Sequence, residues 1–280
     1  MGEGITRLLV VAGAGSYPRR VVEGAKRAGV AAVDVIAVKG SCERATCRAA
    51  DHVFPFSAGE SDKAIEWAGT GGYDGAILAG QVSPMSLFRG KFDAVVRGWL
   101  KAMPVKNAHT IFGKLVAEFE RHGVRMLPAS SYMDDSLPGV GPLTARGLTP
   151  EELDDAKRGL QVALDVGRHD VGQTVLVKSG MVLAVEAFEG TNAAIRRAGR
   201  LCKGAVLFKG AREGHDWRFD IPVVGLKTVK MMKKAGVTAL AFQAGRLILL
   251  DREPVIAFAD RHGIALVGID SGLPPAPLRP

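Results

Sequence analysis

Apolar and polar positions fall into blocks whose periods name the elements. Leu8-Leu9-Val10-Val11 is an unbroken apolar run and reads as a buried strand. It enters the turn Ala12-Gly13-Ala14-Gly15-Ser16-Tyr17-Pro18, after which Val21-Val22 opens a helix ending near Gly29. Residues 33–38 read as a second strand, 50–56 as a short third, 62–69 as a helix carrying Ile65 and Trp67, and 75–79 as a fourth strand. That strand ends in the turn Gly80-Gln81-Val82-Ser83-Pro84. Residues 95–102 and 111–122 read as helices, the second with Ile111, Leu115, Val116 and Phe119 on one face, and 123–127 as a fifth strand. Strands alternating with helices predict an α/β fold, with a Rossmann-like parallel sheet over residues 1–135.

The pattern changes between 134 and 150. Leu137-Pro138-Gly139-Val140-Gly141-Pro142 is linker-like, and a linker is expected over 136–150. Thr149-Pro150-Glu151-Glu152 then carries the marks of a helix start, running to about Val166: a capping threonine, a proline at the first helical position, and a glutamate three residues on from the cap. Residues 151–280 are expected to form a second α/β domain of hairpins and helices. Residues 174–178 and 181–185 read as strands joined by Ser179-Gly180, followed by a helix over 191–199. Residues 239–243 and 246–250 repeat the pattern around Ala244-Gly245, followed by a helix over 254–263. Between them, 209–218 reads as polar and irregular, and a helix runs from Thr228 to Gly236. Residues 264–267 read as a last strand, and the proline-rich end, 273–280, as frayed.

Composition narrows the class further. Hydrophobic residues make up 47% of the 280 and aromatics only 6%, while glycine is abundant at 35 residues, which suits α/β units with tight turns. No apolar run reaches the length of a membrane span, and the start of the chain lacks a signal-peptide core, so a cytoplasmic location is expected. Cys42, Cys47 and Cys202 form neither a zinc pattern nor an even framework, which fits a reducing compartment. The formal net charge of +8 allows attraction to anionic ligands, nucleic acid or an acidic membrane surface and selects none of them.

Candidate chemistry gathers at turns. Gly13-Gly15 and Gly80-Gln81 both follow strands, and a glycine turn feeding a helix start offers outward N–H groups to an anion or is simply structural. Pro18 occupies the place of the third glycine of a dinucleotide fingerprint, which argues against NAD. His109 is a helix-entry residue or a ligand contact. Glu186-Ala187-Phe188-Glu189-Gly190-Thr191-Asn192 is the densest polar cluster, where Thr191 or Asn192 is an anion contact or a plain cap. Asp170-Val171-Gly172-Gln173 is a second polar turn. Lys209 and Arg218 flank Asp220, a carboxylate entering an ordered unit. It would hold a metal or water there, or merely cap a helix or pair with Arg218.

Taken together these segments resemble one family along nearly the whole chain. They are Ala12-Gly13-Ala14-Gly15, Ala79-Gly80-Gln81-Val82, Asp170-Val171-Gly172-Gln173, residues 184–197 and Arg218-Phe219-Asp220-Ile221-Pro222. The family is the two-domain, LpxI-type UDP-2,3-diacylglucosamine pyrophosphatases of lipid A biosynthesis, unrelated to calcineurin-like phosphoesterases. The resemblance implies hydrolysis of UDP-2,3-diacylglucosamine to UMP and 2,3-diacylglucosamine 1-phosphate, with substrate between the domains. It implies Mg²⁺, or another divalent cation such as Mn²⁺. It makes Asp220 the catalytic residue and metal ligand. Substrate contacts are expected from Gly13, Gly15, Ser16, Gly80, Gln81, Asp170, Gln173, Glu189, Gly190, Thr191, Asn192, Arg196, Arg197 and Lys209. No nucleic-acid partner is implied; transient contact with the cytoplasmic face of an inner membrane is. The chain departs from the family pattern at Asn192, usually aspartate, at Lys106-Asn107-Ala108-His109-Thr110, at Gln81-Val82-Ser83-Pro84, and at His215. The alternative these departures raise is a non-catalytic or divergent nucleotide-sugar or lipid binding protein of the same fold.

Overall fold

A computed structural model describes residues 4–57, 60–81, 94–104 and 108–278, and its chain divides into two units. The first comprises 1–133 together with 217–220 and 277–280. Its strands are β1 (Arg7–Ala12), β2 (Ala32–Val38), β3 (Val53–Phe56) and β4 (Gly75–Ala79); its helices are α1 (Tyr17–Arg27), α2 (Arg44–Ala49), α3 (Ser61–Thr70), α4 (Ala94–Ala102) and α5 (Ala108–Arg121). All four strands run parallel in the order β3-β2-β1-β4. This is the half-Rossmann order, and it explains the apolar runs: Leu8, Leu9 and Val10 of β1 are buried because the strand is covered on both faces. One core joins Leu9, Ile36 and Leu78 of the sheet to Val116 and Phe119 of α5. Each such side chain contributes roughly 1.5–3 kcal/mol on leaving water. The buried Asp34 of β2 is satisfied internally, accepting from the Tyr73 hydroxyl at 2.8 Å and the His52 amide at 3.2 Å.

Residues 123–127 do not form the fifth strand. Met126 makes one isolated parallel bridge with Ala76, and Pro128, which lacks an amide hydrogen, follows directly and ends the ladder. The positions 82–84 of the Gly80 turn and 106–107 of the segment before α5 lie outside the described residues.

The second unit comprises 134–216 and 221–276. Its elements are β5 (Gly141–Pro142), α6 (Pro150–Gly167), β6 (Thr174–Lys178), β7 (Met181–Val185), α7 (Thr191–Leu201), β8 (Val206–Lys209), β9 (Val223–Val224), α8 (Leu226–Ala235), β10 (Ala239–Gln243), β11 (Ile248–Leu249), α9 (Arg252–Arg261) and β12 (Ala265–Ile269). The main sheet has the order β5-β12-β10-β8-β6-β7, with β12, β10 and β8 mutually parallel and β6, β7 and β5 antiparallel to their neighbours. The capping box forms: the Glu152 amide donates to the Thr149 hydroxyl at 3.2 Å, and the Glu152 carboxylate accepts from the Thr149 amide at 3.0 Å. Burial pushes the Glu152 carboxyl up, but Arg146, in two bonds of 2.7 and 2.9 Å, the Thr149 amide and the Thr238 hydroxyl outweigh it and hold the group at about 2.

The β6–β7 hairpin turns through Ser179 and Gly180, both at positive φ as a tight primed turn requires, and Asp155 of α6 accepts from both amides. The second expected hairpin does not exist. β10 is already paired on both sides, by β8 and β12, so no edge is left for the chain returning from Gly245. Instead β11 pairs parallel with β9 in a separate two-stranded sheet. β8, in the middle of the main sheet, went unread because its apolar run is only Val206-Leu207-Phe208 before Lys209. The linker-like run supplies β5, an edge strand where a proline does no harm to the ladder. The proline-rich end is tied down rather than frayed: the Ala276 amide donates to the Gly245 carbonyl at 2.8 Å, and Ala276 is buried. Among the described residues no helix is long and apolar enough to cross a membrane.

Candidate functional site

In the first unit the chain adds β2 and β3 on one side of β1 and then returns to place β4 on the other, so β1 and β4 flank a topological switch point. Ligands of open α/β sheets bind beyond the strand ends at such points. Both glycine turns lie there, stitched together. The Gly13 amide donates to the Ala79 carbonyl at 2.8 Å, and Ala14 and Gln81 exchange amide-to-carbonyl bonds of 2.8 and 3.0 Å. The glycines are forced: a Cβ on Gly13 would stand 2.8 Å from the Gln81 oxygen, and one on Gly80, at φ +91°, 2.8 Å from the Ala14 oxygen. Gly15, also at φ +91°, has open space beside it. Ser16 is the N-cap of α1, whose first turn carries no acidic residue but does carry Arg19 and Arg20. Both arginines pair with Glu23 of the same helix, at 3.8 and 3.2 Å. Thus Gly13, Gly15, Ser16, Gly80 and Gln81 are brought together.

Asp220 closes the four-residue segment 217–220, which returns to the first unit. The Trp217 carbonyl accepts from the Ala129 amide at 2.6 Å, Arg218 pairs with Glu120 at 3.0 Å, and the Phe219 ring lies 5.2 Å from His109 and 6.1 Å from Phe112. His109 is thereby placed against an aromatic ring at the start of α5. Asp220 itself is half-buried. Among the described residues no three or more histidines, cysteines, aspartates or glutamates cluster as a cation cage.

In the second unit, β8 and β10 end side by side, and β6, antiparallel to β8, begins opposite Lys209. That sheet end gathers Thr174, Lys209 and Gln243, with Glu186 just past β7 and Thr191 opening α7. Lys209 is 4% exposed. Its ammonium donates to the Thr174 and Thr191 hydroxyls at 3.2 and 3.0 Å and stands 3.6 Å from Glu186. The Thr191 hydroxyl donates to the other Glu186 oxygen at 2.8 Å. Burial raises the Glu186 carboxyl, and the Lys209 charge with the two hydroxyls more than reverses that, leaving it below its ordinary value. Gly172 packs so closely on this loop that a Cβ would stand 2.2 Å from the Glu186 carbonyl oxygen, and the Gly210 amide donates to the Gln173 carbonyl at 3.0 Å. Asp170 takes φ 54° in the same turn.

Two buried polar atoms at this sheet end, Asn192 Oδ1 and Gln243 Nε2, have no hydrogen-bond partner among the described residues, while Glu186 Oε2 faces the Lys209 ammonium at 3.6 Å. Such atoms want a water or a ligand. Gly190, at φ +81°, is the N-cap of α7. Glu189 and Arg197 are taken up with one another at 2.6 Å, and Arg196 donates to the Asn192 carbonyl at 3.3 Å; all three are exposed. Thr174, Glu186 and Gln243 complete the cluster. Sequence reading did not single out Thr174 or Gln243 because each is one polar residue bounding an apolar strand, and only the sheet order brings them to Lys209.

Glycine turns stitched together at a switch point, and a second unit with a buried cation at its sheet end, define a two-unit α/β protein. The chain belongs to the LpxI family. The LpxI N-terminal domain matches residues 7–136 and the LpxI C-terminal domain residues 139–267. The chain is 34% identical over 230 residues, 76% of its length and 80% of the relative's, to the UDP-2,3-diacylglucosamine pyrophosphatase LpxI of Caulobacter vibrioides. Among solved structures, the biotin carboxylase subunit of pyruvate carboxylase aligns with 15% identity and a TM-score of 0.28, covering 66% of this chain and 39% of that one, too loose a likeness to bear on the fold.

Proposed function

We propose that this protein hydrolyses the pyrophosphate of UDP-2,3-diacylglucosamine, releasing UMP and 2,3-diacylglucosamine 1-phosphate, a step of lipid A biosynthesis. The observation that carries the reading is the 34% identity to a pyrophosphatase of that specificity over 76% of the chain. The local geometry supports it. The glycine turns at the β1–β4 switch point suit a phosphate-bearing ligand, whose charge the N-terminus of α1 complements. Hydrolysis joins a water oxygen to one phosphorus while the bridging oxygen leaves with its electron pair on the other. In this reading Asp220 orients the water and accepts its proton. The Thr174–Glu186–Thr191–Lys209 cluster fixes the start of α7, which carries Asn192, whose amide contacts the sugar phosphate.

The test is UMP release from UDP-2,3-diacylglucosamine by the full chain and by Asp220→Asn, with and without added Mg²⁺ or Mn²⁺, alongside calorimetric titration with UMP. We expect at least about a hundredfold loss of turnover in Asp220→Asn, the range of a lost general base, with UMP affinity kept within about threefold. Undiminished turnover in the variant removes Asp220 from the mechanism. Substrate binding without turnover by the native chain under every metal condition replaces the reading with a non-catalytic binder, the outcome that the neutral Asn192 favours.

A further inference from the structure

The positive charge of the second unit is concentrated on two neighbouring helices. α7 and the residues just beyond it carry Arg196, Arg197, Arg200 and Lys203; Glu189 offsets Arg197 at 2.6 Å, and no other Asp or Glu occurs before Glu213. α8 carries Lys227, Lys230, Lys233 and Lys234, and no Asp or Glu occurs between Asp220 and Asp251. All eight side chains belong to exposed residues. The two helices are in close contact: a Cβ on Gly199 of α7 would stand 2.6 Å from the Ala235 carbonyl oxygen of α8. Lys203 ties their ends, donating to the Gly199 and Ala235 carbonyls at 2.8 and 3.0 Å. The next helix, α9, is by contrast neutral, with Arg252 and Arg261 balanced by Glu253 and Asp260.

This face is also apolar where it is most basic. Leu226 and Met231, with the stems of Lys227, Lys230 and Lys234, line an open cavity of about 410 Å³ on α8. Lysine stems can lie along apolar surface, and the Lys230 ammonium itself stands over the Phe258 ring, 5.9 Å from its centroid. Leu201, at the end of α7, is 66% exposed.

We propose that the α7–α8 face is a docking surface for a bilayer carrying anionic phospholipid. The charge complementarity is one-signed, and the apolar floor gives acyl chains and glycerol backbones a contact that phosphate alone does not need. A nucleic-acid groove asks for aromatic platforms on which bases stack, and no residue lining this cavity is aromatic. The four cations of α8 are lysines, point charges suited to scattered headgroups rather than to bidentate recognition of one phosphate. The inference goes beyond the proposed hydrolysis: it concerns where the second unit rests, and it is read without turnover.

The experiment is cosedimentation of the full chain with vesicles of phosphatidylcholine alone and of phosphatidylcholine mixed with phosphatidylglycerol. Binding to the mixed vesicles only is expected, weakening steeply between about 0.1 M and about 0.5 M salt as screening shortens. The triple variant Lys227→Glu, Lys230→Glu, Lys234→Glu should partition at least about tenfold more weakly, and Leu226→Ser with Met231→Ser a few-fold more weakly. Circular dichroism checks that the variants fold, and the salt series on the native chain tests the idea even if they do not. Equal binding to neutral vesicles, no binding to either, or full binding by a folded triple variant overturns the proposal. So does displacement from the mixed vesicles by a single-stranded oligonucleotide at matched phosphate, which would assign the face to polyanions instead.

Discussion

Lys209 illustrates how a single buried cation organises a loop. An ammonium has three N–H donors, and here they face Thr174, Thr191 and Glu186, so the residue holds the entry to α7 in place from within the sheet. Replacing it with methionine leaves Glu186 buried without its counter-charge, and breaking a buried pair from one side costs about 3–5 kcal/mol. The pH dependence gives the sign. In the native protein the Glu186 carboxyl is held below its ordinary value, so its contribution is present above the ordinary carboxylate range and is lost as pH falls through the depressed value. In Lys209→Met only the Thr174 and Thr191 hydroxyls are left to oppose burial, so the carboxyl moves up and protonation relieves the variant. Urea unfolding at about pH 5 and about pH 8 should show the smaller deficit at the lower pH. The further change Glu186→Gln should recover at least half of the loss at the higher one. A deficit independent of pH, or one under about 1 kcal/mol, would mean that the pair is incidental.

The turns after β1 and β4 behave as one element, because each closes against the other. Gly80→Ala puts a methyl 2.8 Å from both the Ala14 oxygen and Pro18 Cγ at a φ of +91°. It should cost about 1–3 kcal/mol in strain and, through the displaced amides, weaken UMP binding measured by calorimetry. Gly113→Ala in the middle of α5 is the matched control: open space surrounds the new methyl, and helix propensity should make it neutral or stabilising by up to about 1 kcal/mol. Equal effects of the two changes on UMP affinity would detach the turns from binding. The same contrast explains what could be read from the chain. Glycine turns, the β1 and β4 apolar runs, the Thr149 cap and the Ser179-Gly180 hairpin are written locally, in residue types within a few positions of each other. Pairing partners are not. The Ala244-Gly245 turn carries the same hairpin signal as Ser179-Gly180, and only the occupied edges of β10 prevent a hairpin. Likewise Thr174 and Gln243 carry no signal until the sheet order sets them beside Lys209.

At the scale of the whole molecule the chain is not two beads on a string. It passes from one unit to the other at 133/134, 216/217, 220/221 and 276/277, so neither unit is built from one continuous segment. The passage at 217–220 supplies Phe219 to the first unit's core, and the end of the chain adds Pro277, whose carbonyl accepts from the Ser130 hydroxyl. Meanwhile Ala276 is held within the second unit by Gly245. Unfolding the second unit therefore releases the anchor of the segment bearing Phe219, and unfolding the first pulls on the same segment from its other end. Calorimetry of the full chain should show one thermal transition whose calorimetric and van't Hoff enthalpies agree. Phe219→Ala removes a partly buried ring from the first unit and should lower that transition as a whole, by the equivalent of about 2–4 kcal/mol. Two resolved transitions, of which Phe219→Ala moves only one, would show that the segment packs on the first unit without coupling it to the second. The placement of Asp220 would then depend on the first unit alone.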